Sequence, residues 1–234
     1  MAALPPIDDA TEALDLTVRG FLFHLRRDSE GRLTIAAPHL EGYAAFALDW
    51  SSPDVQRRIA GGRKQLLAKA VGLHKKPAAT VFDGTAGLGR DGFTLAALGA
   101  EVTLAERNPV LAALLRDAHR RALALPLTRD AATRIRIIEH DSAASLAAAQ
   151  GFDAIYLDPM YPDDGKRALP SKEMQILRDL TGGDADADAL LVAARASGVG
   201  RVAVKRPSKA PWLGQEKPNL SMEGTQARFD IYLR

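Results

Sequence analysis

The feature that most constrains the fold is a regular alternation of short apolar runs and helix-like segments after Pro77. The apolar runs are ATVFD, EVTLAER, RIRIIEHD, FDAIYLDP and GRVAVKRP, and ARFDIYLR follows them. Strands separated by helices pair in parallel, because each helix returns the chain to the same end of the sheet. The sequence therefore predicts an α/β fold with a parallel sheet covered by helices.

The first fifty residues have a different pattern. ALDLTVRGFLF and GRLTIAAP predict two short strands on either side of the charged turn RRDSEG. From Ser51 onward, SSPDVQRRIAGGRKQLLAKAVG predicts a basic helix that Gly61 and Gly62 interrupt. We therefore expect a small β-containing subdomain over residues 1–50 and the α/β domain over residues 51–234.

Composition narrows the class of protein. Hydrophobic residues make up 47% of the 234 residues, enough for one sizeable core. The chain has no cysteine, which excludes disulfides and thiolate metal sites and is typical of a reducing cytosol. No apolar run has the length of a bilayer-spanning helix, and the histidines show no ligand spacing. We expect a cytoplasmic protein without a membrane segment or a metal.

A glycine-rich turn follows the first strand of the α/β domain. In VFDGTAGLGRDG, Gly84, Gly87 and Gly89 lie between a strand and a helix. Small residues there let a ligand approach the backbone and the N–H groups that begin the helix, although such turns also occur for packing. Glu106, at the end of the second strand, can accept hydrogen bonds from both hydroxyls of a ribose. The combination favours a ligand that contains a nucleoside.

Further acids indicate which nucleoside. Asp83 precedes the first glycine and Asp91 follows the last. These carboxylates would repel the pyrophosphate of a dinucleotide, but they suit the sulfonium and ammonium groups of S-adenosylmethionine. After the third strand, Asp141 can accept the amine of adenine and the Ser142 N–H can donate to its ring. The same HDSAAS segment equally fits a plain helix N-cap, and both interpretations stay open.

The fourth strand ends in the segment DPMYP, which contains Asp158, Pro159 and Tyr161. Ligands of parallel α/β sheets bind beyond the carboxyl ends of the strands, so this segment is expected beside the glycine-rich turn. An exocyclic amine of a nucleobase is a poor nucleophile because its lone pair is delocalised into the ring. Asp158 can accept one N–H and the Pro159 carbonyl the other, which positions the amine, and Tyr161 offers a ring for stacking. Taken alone, Asp-Pro also fits an ordinary turn.

Together the motifs resemble a known family. DGTAGLGRD, AERNPVLAALL, YLDPMYP, VKRP and RFDIY are similar to the RsmJ family, the bacterial small-subunit ribosomal RNA guanine-N2 methyltransferases. The resemblance covers the chain from about residue 50 onward. It implies the class I S-adenosylmethionine-dependent methyltransferase fold, a Rossmann-like seven-stranded sheet whose last strand is antiparallel. It also implies methylation of an exocyclic guanine amine in 16S ribosomal RNA.

The resemblance also implies functional residues. It places Arg90, Asp91, Glu106 and Arg107 at the cofactor. In the family a serine pair usually stands where this chain has Ser142 and Ala143, so a backbone contact is expected there without a second hydroxyl. With the residues argued above, the predicted cofactor site is Asp83, Gly84, Arg90, Asp91, Glu106, Arg107, Asp141, Ser142, Ala143 and Asp158, and the predicted catalytic residues are Asp158, Pro159 and Tyr161. Methionine replaces the second proline of the D-P-P-Y motif of amino-methyltransferases, so adenine N6 stays open beside guanine N2.

Basic residues gather in three places that predict an RNA surface. The first group lies on the basic helix before the first strand of the α/β domain, and the other two follow the fourth and fifth strands, where they are expected on the cofactor side. Such a rim would give salt-dependent phosphate contacts, although each cluster alone also fits a solvated face. The predicted RNA-binding residues are Arg63, Lys166, Arg167, Lys172, Lys205, Arg206 and Lys209. The expected partner is ribosomal RNA or the small ribosomal subunit.

Two other functions compete with this interpretation. A nicotinamide-dependent oxidoreductase would need a residue that handles hydride after the fourth strand, and DPMYP offers no obvious one. An RNA-binding module that has lost turnover would not need to keep Asp83, Glu106 and Asp158. The sequence does not indicate the oligomeric state, the modified guanine, or whether the first fifty residues guide RNA or cap the cofactor.

Overall fold

The amino-terminal region forms its own antiparallel sheet. The computed structural model describes residues 7–8, 11–146, 151–160, 171–183, 186–225 and 227–234. Its first four strands pair in chain order: β1 (Ala13–Val18), β2 (Phe21–Arg27), β3 (Leu33–Ala36) and β4 (Phe46–Ala47). The prediction of one strand over ALDLTVRGFLF was wrong, because the chain reverses at Arg19 and Gly20, which have φ values of 54° and 86°. A two-residue turn with positive φ values joins two antiparallel strands without forcing them apart. Because this turn is only two residues long, the apolar residues before and after it had the pattern of a single strand.

The segment after Trp50 has the predicted break. It contains α1 (Pro53–Ala60), a 3₁₀ turn over Gly62–Lys64, and α2 (Leu66–Ala70). Gly62 has a φ of 61°, which is incompatible with a continuous helix. The glycine pair therefore divides the basic segment into two short helices.

The large sheet has seven strands. They are β5 (Thr80–Asp83), β6 (Glu101–Glu106), β7 (Ile135–Glu139), β8 (Ala154–Leu157), β9 (Arg201–Pro207), β10 (Leu220–Glu223) and β11 (Ala227–Leu233), in the order β10-β11-β9-β8-β5-β6-β7. The strands β5 to β9 are parallel, and β11 is antiparallel to both of its neighbours. This confirms the predicted class I methyltransferase sheet with an antiparallel last strand. The pattern of apolar and polar residues did not predict strand β10, because most of its side chains are exposed.

Helices cover both faces of this sheet. They are α3 (Arg90–Ala97), α4 (Pro109–Ala124), α5 (Pro126–Ala132), α6 (Ser142–Leu146), α7 (Lys172–Thr181) and α8 (Ala187–Ala196). The α4 helix begins as its sequence predicts, because the Asn108 side chain accepts hydrogen bonds from the N–H groups of Val110 and Leu111. The sequence pattern did not predict α5 as a separate helix. None of the described helices combines the length and the apolar character needed to cross a bilayer.

The amino-terminal region packs against α3 and α4. The indole of Trp50 stacks on Phe93 with ring centroids 5.0 Å apart, and its Nε1–H donates to the Leu88 carbonyl at 3.2 Å. Asp117 of α4 accepts hydrogen bonds from Arg27 at 2.9 Å and from the Leu33 N–H at 3.1 Å. One continuous apolar core therefore links the two sheets. The division at residues 50 and 51 stays a prediction.

Candidate active site at the carboxyl ends of the strands

A cleft lies beyond the carboxyl ends of β5, β6, β8 and β9. It has two adjoining parts that share Thr85, Gly87, Asp158, Met160 and Leu177. The first part is also lined by Gly84, Glu106, Arg107, Asp141, Ser142, Ala143 and Asp186. The second part is also lined by Asp83, Arg90, Asp91, Tyr156, Pro159, Lys205 and Arg206. All described residues predicted for the cofactor or for catalysis therefore lie around one cleft.

Thr85 links the ends of β5 and β8. Its N–H donates to Asp83 Oδ1 at 3.1 Å, and its hydroxyl accepts the Asp158 N–H at 2.6 Å. Asp83 is buried, and this burial raises its pKa to about 8, with the charges of Asp91 and Asp158 acting in the same direction. Because β5 and β8 are neighbours in the sheet, the glycine-rich turn and the Asp158 segment lie side by side.

Glu106 supports the glycine-rich turn. Its Oε2 accepts the Gly87 N–H at 3.0 Å, and its Oε1 accepts the Asn108 N–H at 2.8 Å. Gly89 has a φ of 70°, and a Cβ there would lie 2.8 Å from Cζ2 of Trp50. Only glycine therefore fits at position 89 without strain. Glu106 lines the cleft and, through its bond to the Gly87 N–H, also holds the glycine-rich turn.

Asp141 and Ser142 both make structural hydrogen bonds. Asp141 Oδ1 accepts hydrogen bonds from the N–H groups of Ala143 at 2.9 Å and Ala144 at 3.2 Å. These are the contacts of a helix N-cap. The Ser142 hydroxyl donates to the Gly84 carbonyl at 2.6 Å. The Ser142 bond ties the start of α6 to the glycine-rich turn. Asp141, Ser142, Ala143 and Gly84 line the cleft, whereas Ala144 does not.

Two arginines at the rim are held by acids from the covering helices. Arg107 Nη1 lies 2.5 Å from Asp186 Oδ2 and 4.0 Å from Asp141 Oδ2. Arg90 Nη2 lies 2.5 Å from Glu173 Oε2. Both ion pairs connect the rim of the sheet to α7 or to the start of α8.

Asp91 and Asp158 are joined by a lysine. Lys205 Nζ, at the end of β9, lies 2.8 Å from Asp91 Oδ2 and 2.8 Å from Asp158 Oδ2. Asp91 also accepts hydrogen bonds from the Tyr156 hydroxyl at 2.6 Å and from Arg58 at 3.1 Å. The centre of the cleft therefore contains a connected network of opposite charges.

The residues predicted to bind RNA are not all brought together. Lys205 and Arg206 line the cleft, and the Arg206 guanidinium donates to the Pro211 carbonyl at 3.0 Å. Arg63 donates to the Leu98 carbonyl at 2.7 Å, after the last turn of α3 and away from the cleft. Lys172 and Lys209 do not line either part of the cleft. The predicted residues Tyr161, Lys166 and Arg167 lie outside the described residues.

Sequence reasoning missed several residues of the cleft. Thr85 lies inside the glycine-rich turn, where its hydroxyl gave no separate signal. Tyr156 lies within the apolar run of β8, where the sequence pattern predicts a side chain of the hydrophobic core. Asp186 and Leu177 come from helices whose position over the cleft is a tertiary feature.

The chemistry of the cleft fits S-adenosylmethionine. The donor has a positive sulfonium and a positive ammonium, and the cleft presents Glu106 and Asp158 beside the glycine-rich turn. Met160 and Leu177 add apolar surface where the two parts of the cleft meet. Within the described part of the chain, no group of three or more His, Cys, Asp or Glu side chains is arranged to hold a metal ion.

Comparisons with known proteins show the family to which the chain belongs. A family model of SAM-dependent methyltransferases matches residues 19–234. The chain is 43% identical to the ribosomal RNA small subunit methyltransferase J of Pseudomonas aeruginosa strain LESB58, over 96% of this chain and 83% of the relative. It is 41% identical to the protein of the same name from Vibrio campbellii, over 97% of this chain and 88% of the relative.

Solved structures show the same fold. A SAM-dependent methyltransferase from Neisseria gonorrhoeae is 35% identical and superposes with a TM-score of 0.70, over 89% of this chain and 81% of that chain. A 16S rRNA N2 methyltransferase from T. thermophilus, in complex with AdoMet and guanosine, is 18% identical with a TM-score of 0.50, over 95% of this chain and 50% of that chain. The second likeness concerns the fold alone. The chain belongs to the S-adenosylmethionine-dependent methyltransferases, within the family of ribosomal RNA small subunit methyltransferase J.

Proposed function

We propose that this protein methylates the exocyclic N2 amine of a guanine in small-subunit ribosomal RNA, with S-adenosylmethionine as the methyl donor. The two relatives from Pseudomonas aeruginosa and Vibrio campbellii are both named as methyltransferases of small-subunit ribosomal RNA. The observation that carries the proposal is the Thr85 link, which holds Asp83 and Asp158 in one cleft at adjacent strand ends. The proposed site for the donor and the proposed site for the amine therefore share this cleft.

Asp158 is the proposed acceptor for the amine. Its side chain is 38% exposed in the cleft, and its Oδ2 lies 2.8 Å from Lys205 Nζ. The carboxylate accepts one N–H of the amine, and the Pro159 carbonyl, in the same segment, accepts the other. These two contacts orient the nitrogen lone pair and stabilise the positive charge that develops on it. The proton is then released toward solvent through the open cleft, and Tyr161 is the proposed stacking ring.

The cofactor residues are proposed on the same basis. When bound, S-adenosylmethionine supplies an electrophilic methyl group on a positively charged sulfur. The glycine-rich turn brings backbone N–H groups to the ligand, and Glu106 faces the cleft beside Ala105 and Arg107. The residues proposed to surround the donor are Asp83, Gly84, Arg90, Asp91, Glu106, Arg107, Asp141, Ser142, Ala143 and Asp158.

RNA is proposed to reach the cleft from its exposed rim. Lys209 is exposed and follows β9, whereas Lys172 begins α7, which covers the cleft. These two lysines remain suitable for phosphate contacts, together with Lys166 and Arg167. Arg63 contacts the other end of α3, so it is the weakest of the predicted RNA contacts.

The test is methylation of small subunits and of naked 16S RNA from cells that lack their own modification, followed by nucleoside mass spectrometry. The expected product is N2-methylguanosine. N6-methyladenosine would show instead that the amine is that of adenine, and an unmodified RNA would leave only a binding module. Asp158→Asn is expected to lower kcat by about 100-fold or more. Asp130→Asn is the matched control, because the Asp130 side chain is 95% exposed and lies outside the cleft.

A further inference from the structure

Lys205 points into the active-site cleft. Its Nζ lies 2.8 Å from one oxygen of Asp91 and 2.8 Å from one oxygen of Asp158. The Lys205 side chain is 26% exposed, compared with 15% for Asp91 and 38% for Asp158. An ammonium between two carboxylates at these distances makes two charge-assisted hydrogen bonds. This lysine is therefore engaged within the site, although the sequence had placed it among the RNA contacts.

Asp91 acts as the anchor of this lysine. Its Oδ1 accepts a hydrogen bond from Arg58, and its Oδ2 accepts one from the Tyr156 hydroxyl as well as from Lys205. Burial opposes ionisation of Asp91, but Lys205, Tyr156 and Arg58 lower its pKa below the usual value. An ionised Asp91 with three donors from three elements holds the ammonium from the side away from Asp158.

The same charges keep Lys205 protonated. Burial would lower the pKa of this lysine, but the carboxylates of Asp158 and Asp91 outweigh burial and raise it. The other ionisable groups that face the cluster are Arg58 from α1, Tyr156 from β8 and Asp83 from β5. Without the ammonium, Asp91 and Asp158 would face each other across the cleft as two acceptors of like charge.

Resting on the proposed function, we propose that Lys205 is a positioning residue for methyl transfer, which orients the Asp158 carboxylate toward the substrate amine through its hydrogen bond to Oδ2. The lysine ties Asp158 to β9 and, through Asp91, to α3. It also keeps Asp158 as a hydrogen-bond acceptor, which an exocyclic amine requires. Small displacements of such a group reduce rates strongly, because the reacting atoms must be aligned.

The test compares Lys205→Met, which keeps length but removes charge, with Lys205→Arg. For Lys205→Met we expect kcat to fall about 10- to 100-fold. The KM for RNA should stay within about twofold of wild type, because the proposal gives Lys205 no contact with RNA. Lys205→Arg should restore part of kcat. Lys75→Met is the control, because Lys75 is exposed and precedes β5 at the opposite end of the sheet.

A double-mutant cycle tests whether Lys205 acts through Asp158. In the Asp158→Asn background, Lys205→Met should change kcat by less than about twofold, because the group that it positions is already altered. Independent, additive losses from the two substitutions would overturn the proposal. A higher KM for RNA, with a weaker salt dependence and an unchanged kcat, would also overturn it and would make Lys205 a phosphate contact.

A second readout does not depend on RNA. In protein labelled with ¹³C at aspartate carboxyl groups, the Asp158 resonance should titrate at higher pH in Lys205→Met than in wild type, because the neighbouring positive charge is gone. An unchanged titration would refute the contact that the proposal requires. If wild-type protein forms no N2-methylguanosine, the proposed function fails, while this titration still decides whether Lys205 holds Asp158.

Discussion

Replacing Asp83 with asparagine should change how the stability of the protein depends on pH. Asp83 is 1% exposed, and burial raises its pKa from 3.8 to about 8. The unfolded chain releases this proton near pH 4, at about the value of a model peptide. Between these two pH values the folded protein binds more protons than the unfolded chain. Its free energy of unfolding therefore falls as pH rises through this window, and the fall ends above about pH 8.

The magnitude follows from the shift. Each pH unit inside the window is worth about 1.4 kcal/mol, so wild type should lose about 3 kcal/mol of stability relative to Asp83→Asn between pH 5 and pH 7. Asparagine can still accept the Thr85 N–H that Asp83 Oδ1 accepts at 3.1 Å. The substitution therefore removes the buried ionisable group and keeps the local hydrogen bond.

The assay is urea unfolding of both proteins without cofactor, at several pH values from about 5 to about 8, followed by tryptophan fluorescence. The free-energy difference between Asp83→Asn and wild type should grow steadily with pH. Asp130→Asn serves as the control, because its 95% exposed side chain buries no charge. A difference that is the same at every pH would refute the argument that burial holds a proton on Asp83.

The remaining predictions concern packing and charge away from the reaction centre. Burial opposes ionisation of Asp117, but hydrogen bonds from Arg121, Arg27 and Arg120 lower its pKa to about 2. The ionised Asp117 should therefore stabilise the folded protein above about pH 4, and this contribution should disappear as pH falls through about 2. Asp117→Asn should lower the free energy of unfolding at neutral pH by about 3 kcal/mol, and an effect no larger than that of Asp130→Asn in urea unfolding would contradict this. Gly89→Ala should destabilise the fold by about 1 to 3 kcal/mol, because its φ is 70° and a new Cβ would lie 2.8 Å from Trp50. Gly200→Ala should be nearly neutral by thermal melting, because a Cβ there meets nothing within 4 Å, and equal effects of the two would refute the packing argument.

Much of the fold was predictable because its signals are local. The alternation of strands and helices, the Asn108 cap and the glycine break after α1 each depend on a few neighbouring residues. The hairpin at Arg19 and Gly20 was missed because the apolar pattern continues through the turn. Strand β10 was missed because it is an exposed edge strand, whose pairing comes from β11 rather than from an apolar pattern of its own.

The sequence by itself determined that acids end the strands of a parallel sheet, and that Asp83, Glu106 and Asp158 would therefore meet at one edge. Parallel strands place their carboxyl ends on the same side, so strand order along the chain is enough for that conclusion. Only the tertiary structure decided what each side chain binds. Lys205 turns inward to Asp91 and Asp158, and the Ser142 hydroxyl bonds to Gly84. A side chain takes the partner that its packed neighbours bring within about 3 Å, and residues distant along the chain supply those neighbours.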